Sequence, residues 1–186
     1  GIHQFLVSGV GYYQWGEQQT LAETYPDQIY NAFGIHPWFC DLHEEPHLEL
    51  LEEKLPHAVA IGECGLDFMP GKPKHDNQLW WFVAQLGMAE RCDKPLIIHS
   101  VRAGDVVLQQ LKKHPKTRGV IHGFSGSLEQ AQAFIKLGFY IGIGTRRIQS
   151  ASEKTQDYIR NLPLEYMLLE TVSPDGLGKT VRNEPS

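Results

Sequence analysis

AVAIGECGLD (58–67), PLIIHS (95–100) and GVIHGFSG (119–126) are built alike: β-branched and other apolar residues run straight into one metal-ligand type, Glu63, His99 and His122 respectively. A buried strand carrying a carboxylate or imidazole at its C-terminal end puts a polar group where the sheet opens to solvent. In parallel α/β sheets and barrels that rim is where chemistry sits. Three such residues from three successive strands can converge on one divalent metal.

The same alternation extends over the chain. Further apolar runs predict strands at 3–10, 29–36, 139–144 and 166–171, beside those at 58–65, 95–100 and 119–124. Helices are predicted at 17–24, 46–55, 76–92, 104–113, 128–137 and 151–161. Ser127 with Gln130, and Ser150 with Glu153, read as capping boxes, and Gly138 suits the residue after a helix end. In the longest helix Leu79, Phe82, Val83 and Leu86 form one apolar stripe, which Trp80 and Trp81 widen as core residues. Strands alternating with helices give a parallel sheet with right-handed crossovers. An open doubly wound sheet gathers its site at one switch point, whereas here several consecutive strand ends carry functional types. The expected fold is therefore α/β, a (β/α)8 TIM-type barrel with about seven strands present, forming a single domain over 1–186.

Composition sets the remaining bounds. An apolar fraction of 41% and a charged fraction of 21% are those of an ordinary globular chain. No apolar run approaches the roughly 20 residues of a membrane helix, and no secretory leader is visible, so no membrane role and a cytoplasmic location are expected. Cys40, Cys64 and Cys92 have no paired spacing and read as small buried residues in a reducing compartment. A net charge of −5 argues against a broad basic face for duplex DNA. Locally, however, Lys72, Lys74, Arg102, Arg146 and Arg147 all follow predicted strand ends, a placement suited to DNA or another phosphate-bearing substrate. No protein partner is expected.

Two imidazoles and a carboxylate suit Zn²⁺ or Mn²⁺ and, less well, Mg²⁺. A metal held there would acidify water and polarise a phosphoryl or carbonyl oxygen. His36, in GIHPW, ends a strand and is fixed by Pro37, so it is the candidate for substrate binding. Asp67 can either orient a ligand or form a turn. The small residues of HGFSGS leave amides free to meet an anion. His3, His43, His47, His57, His75 and His114 read as surface residues. No catalytic acid or base is assigned.

GIHPW, AIGECGLDF, the Gln78–Gln85–Leu86 helix, KPLIIHS, GVIHGFSGS and LLETVSPD, in this order, resemble the TatD family of metal-dependent deoxyribonucleases. The resemblance implies a barrel of the amidohydrolase type, one or two divalent metals, and cleavage of phosphodiester bonds in DNA. It assigns metal ligation to Glu63, as a bridge between two metals, and to His99 and His122. It also exposes departures. The family's first strand ends in His-x-His, and this chain shows no such strand. Its last strand reads Glu-Thr-Asp where this chain has Glu170-Thr171-Val172; Val101 stands where a basic residue is usual; and the final helix is absent. The chain also starts at Gly1 as if inside a fold. These departures imply at most one well-formed metal site, unclosed edges at the outer strands, and weak turnover. Two other readings stay open: a truncated, inactive remnant that binds metal or phosphate, and a related hydrolase of small esters or amides.

Overall fold

The apolar runs become seven parallel strands in strict sequence order. They are β1 (Phe5–Ser8), β2 (Ile29–Phe33), β3 (Ala60–Asp67), β4 (Leu96–Val101), β5 (Gly119–His122), β6 (Phe139–Gly144) and β7 (Met167–Glu170). The computed structural model describes residues 1–149 and 153–171. Val172, the Ser150 cap and the side chains of Arg146 and Arg147 lie outside that description. Each neighbouring pair of strands is parallel, and among the described residues β1 and β7 each pair on one side only. Helices α1 (Tyr12–Thr24), α2 (Pro46–Lys54), α3 (His75–Cys92), α4 (Gly104–Lys113), α5 (Leu128–Lys136), α6 (Thr145–Gln149) and α7 (Glu153–Arg160) fill the connections. The result is a curled half-barrel, an incomplete TIM-type (β/α) barrel.

Side chains alternate along a strand, so each strand serves two cores. Phe33, Ile61, Cys64, Leu66, Ile98, Ile121 and Phe139 pack outward against Trp15, Phe82, Leu86, Val107 and Phe134 of the helices. Full burial of each large apolar side chain contributes roughly 1.5–3 kcal/mol. Ala32, Ala60 and Ile97, with Val120 against them, form the small inner cluster. Two residues further along β4 and β5 the same inner face carries His99 and His122.

On β3 simple alternation from Ala60 would send Glu63 outward. A bulge prevents this: between two paired positions β3 advances from Ile61 to Cys64 while β4 advances only from Leu96 to Ile98. The extra residue flips the parity, so Cys64 goes to the outer core and Glu63 to the inner face. Gly65 follows at φ +130°, where a Cβ would lie 2.0 Å from the His99 carbonyl oxygen. Only glycine lets β3 approach β4 this closely.

Some sequence expectations shift. Helix α1 begins at Tyr12 rather than residue 17, because the Tyr12 amide donates to His43 Nε2 and its ring stacks on His47. His43, expected on the surface, is buried, its other ring nitrogen bonded to the Phe39 carbonyl. Trp81 is buried, but Trp80, expected in the core, is 44% exposed because the stripe on α3 is too narrow to include it. β3 runs on to Asp67, which leaves Glu63 inside the strand rather than at its end. The Ser127 cap is present, with Oγ accepting from the Gln130 amide.

Candidate metal centre

His99 and His122 are direct register partners across β4 and β5, which sets their side chains side by side on the inner face. Glu63 reaches that face through the bulge. His36 stands just beyond β2, at the N-cap of a 3₁₀ turn (Pro37–Leu42). Pro37 opens that turn, having no amide hydrogen to waste there. Glu63 Oε2 lies 3.6 Å from His36 Nε2 and 3.8 Å from His99 Nδ1. One donor atom from each of His36, Glu63 and His99 lies within 4.8 Å of the others. Among the described residues this is the close group, and His122, expected in it, stands beside it. Its ring is drawn towards Glu170, with Nδ1 3.0 Å from Oε2.

What each histidine can do depends on the partner behind its ring. His99 Nε2 lies 2.9 Å from Asp67 Oδ2, and a carboxylate only accepts, so Nε2 carries the hydrogen. Neutral His99 then presents a lone pair on Nδ1, towards Glu63. The same holds for His122: Glu170 fixes the hydrogen on Nδ1 and leaves Nε2 with the lone pair. A carboxylate behind the ring is the arrangement that orients metal-bound histidines. His36 is opposite in kind. Its Nδ1 accepts from the Trp38 backbone amide at 3.1 Å, so in the neutral ring the hydrogen sits on Nε2. His36 therefore points a donor, not a lone pair, at Glu63.

The carboxylates that set these roles are themselves fixed. Asp67 is buried; Oδ2 also accepts from the Trp38 indole at 2.6 Å and Oδ1 from the Met69 amide at 2.9 Å. Asp67 thus both holds the His99 ring and forms a turn with the Met69 amide. The fully buried Gln78 bonds both the amide and the carbonyl of Asp67, and Gln85 does the same for Ile35, one residue before His36. Glu170, to which the sequence alone assigns no role, reaches across β6 from β7 to His122 and to the Gly123 amide. It passes over Gly142, where a Cβ would lie 2.5 Å from its carboxylate. Gly142, the side-chain-free position inside β6, is the signal the sequence carries for this contact.

Burial pushes the Glu63 carboxyl up, but the His99 hydrogen bond and the charges of His122, His36 and His99 outweigh it and hold it at about 2. Asp67 is likewise held below the usual range: hydrogen bonds from His99, Trp38 and the Met69 amide overcome its burial. Burial, aided by the His99 charge, pulls His36 down to about 4, against Glu63 and Asp67. His99 and His122 go the other way. Burial lowers both, but hydrogen bonds to Asp67 and Glu63 raise His99 overall, and Glu170 with Glu63 lifts His122 to about 9. Near neutral pH, His36 is neutral and His122 carries a proton that a metal would have to displace.

The donor chemistry fits a divalent ion. A tetrahedral site with bonds of about 2.1 Å spaces its ligand atoms about 3.4 Å apart, and the 3.8 Å between Glu63 Oε2 and His99 Nδ1 is near that. Beside the site, the ends of β4 and β5 open into a cleft of about 570 Å³ lined by Ser100, Arg102, Asp105, Phe124, Ser125 and Gln130. Of the cations singled out by position, Arg102 lines this cleft and Lys72 lies over the Trp38 ring, while Lys74 stands exposed at the N-cap position of α3 without capping it by its side chain. No described helix is long and apolar enough to cross a membrane.

Comparison with known proteins gives one answer. The family model for TatD related DNase matches residues 1–186. The metal-dependent hydrolase YjjV of Escherichia coli is 40% identical over 181 residues, which cover 94% of this chain and 69% of that protein. The 3'-5' ssDNA/RNA exonuclease TatD of a Rahnella strain is 30% identical over all of this chain and 72% of its own length. The crystal structure of the YjjV TatD homologue from Escherichia coli superposes with a TM-score of 0.89 at 38% identity, covering 100% of this chain and 73% of that one.

Proposed function

The chain belongs to the TatD family of metal-dependent hydrolases, and from that premise we propose that it cleaves phosphodiester bonds of single-stranded nucleic acid at a divalent metal held by Glu63, His99 and His122. The observation that carries this reading is the pair of carboxylate-backed histidines beside an ionised Glu63. When bound, the metal supplies Lewis acidity at a phosphoryl oxygen and a lowered pKa for water. The protein's own contribution is orientation. Asp67 and Glu170 keep each ring hydrogen on the far side of its imidazole, so both lone pairs face inward. His36, neutral with its hydrogen on Nε2, donates to a substrate oxygen. Arg102 and Lys72 lie on the same rim to meet the phosphates. Nuclease names among the relatives and these cations favour a phosphodiester over a small ester or amide.

The test uses the purified chain with a labelled single-stranded oligonucleotide and Mn²⁺, Mg²⁺ or Zn²⁺. Cleavage should require the metal, stop with chelator, and be lost in Glu63→Gln. Tight metal binding with no cleavage under any of the three ions would overturn the proposal and leave a non-catalytic metal binder.

A further inference from the structure

Between the metal centre and the first helix runs a line of aromatic rings that hydrolysis at the metal does not require. Ring centres step from His36 to Trp38 (5.4 Å), Trp38 to Phe39 (6.5 Å), Phe39 to Tyr13 (6.4 Å) and Tyr13 to Tyr12 (5.9 Å). Three of these rings face solvent: Trp38 is 44% exposed, Tyr12 42% and Tyr13 45%. All three sit just beyond the C-terminal ends of β1 and β2, on the rim that carries the site.

Two of the exposed rings, Trp38 and Tyr12, are anchored by contacts of their own. The Trp38 indole donates to Asp67, its amide donates to His36, and Lys72 Nζ rests 3.2 Å from its ring centre. Tyr12 stacks on His47 at 4.0 Å with planes 13° apart, while its amide is held by His43. Solvent-facing aromatic rings, each set at a steep angle to the next, with a cation beside them have the chemistry of base-stacking sites: bases stack on the rings and the cation meets the backbone between them.

We infer that Trp38, Phe39, Tyr13 and Tyr12 form a stacking ridge that binds successive bases of a single strand leading away from the scissile phosphate. Lys72 covers the Trp38 face in the free protein and its flexible stem lets the ammonium turn to the adjoining phosphate when a base takes that face. Duplex bases already stack on one another and cannot lie on the ridge, so the same surface selects single strands. This rests on the phosphodiesterase reading for its substrate class, but it is tested without turnover.

The experiment is fluorescence anisotropy of the chain in chelator with a short labelled oligothymidine, a matched abasic strand and a matched duplex. The oligothymidine should bind about tenfold or more tighter than the abasic strand, and Tyr13→Leu and Trp38→Leu should each remove about tenfold from that gap. Trp38→Phe should keep most of it. Tyr13→Leu leaves the Asp67 anchor intact, and thermal melts confirm that each variant folds. Equal binding of abasic and base-bearing strands, duplex binding as tight as single-strand binding, no binding at all, or indifference to both leucine variants would overturn the ridge. Hydrolysis of the oligonucleotide in added metal is read separately: its absence with base-dependent binding intact would strike the proposed activity and not the ridge.

Discussion

His36 and His99 stand 4.5 Å apart between ring centres, yet the two sides of the site hold them in opposite ways. On the β3–β5 side, each imidazole has a carboxylate behind it, Asp67 for His99 and Glu170 for His122. On the β2 side, His36 has a backbone amide behind it and an aromatic rim around it. Distance alone would put His36 in the metal set and leave His122 out. The proposed ligand set reverses that choice on the ground of the hydrogen-bond partners, because an acceptor behind the ring frees the inward nitrogen to ligate while a donor behind it makes the inward nitrogen a donor. On this proposal a histidine's role is decided by what lies behind it.

This contrast can be broken by substitution. The largest effect is expected from His99→Ala and Glu63→Gln, which should abolish measurable metal binding by calorimetry. Asp67→Asn and Glu170→Gln come next: each disturbs a ring's orientation and basicity without deleting a ligand, and should weaken metal affinity about 10–100-fold. His36→Gln should leave metal affinity within a few-fold while raising KM for the oligonucleotide about tenfold, the loss of one hydrogen bond to a charged oxygen. A result with His36→Gln losing metal as completely as His99→Ala would erase the distinction between the two sides.

The smallest effect concerns pH in the metal-free chain. Folding raises the His122 pKa from its ordinary value near 6.5 to about 9. Its contribution to stability is therefore fully present below about pH 6.5 and is lost as pH rises through about 9. Melting temperature should fall modestly across that window. In Glu170→Gln the decline should flatten, since the carboxylate that holds the proton is gone; an unchanged slope would show that His122 is not its source.

Much of this was legible in the sequence because strand periodicity and strand order are local signals. The seven strands and the placement of Glu63, His99 and His122 on successive strands follow from runs of apolar residues, and the cap of α5 from the Ser127–Gln130 pair. What local reading could not supply is contact at long range. The bulge that turns Glu63 inward is a mismatch between β3 and β4, visible only once the two strands are paired. Glu170 meets His122 across 48 residues, and Trp38 meets Asp67 across 29. The early start of α1 depends on His43 and His47, which no window around Tyr12 contains. The glutamines of α3 stand out in the sequence as a motif, but their work, pinning Asp67 and Ile35, appears only when the helix is seated.

The most direct test is the protonation pattern of the three rings, read by ¹⁵N-histidine NMR as Zn²⁺ is titrated into the chain. The account predicts that His99 Nδ1 and His122 Nε2 acquire the shifts of metal-bound nitrogen while His36 keeps its hydrogen on Nε2. Metal-bound shifts at His36 Nε2, with His122 retaining both of its ring hydrogens, would contradict it.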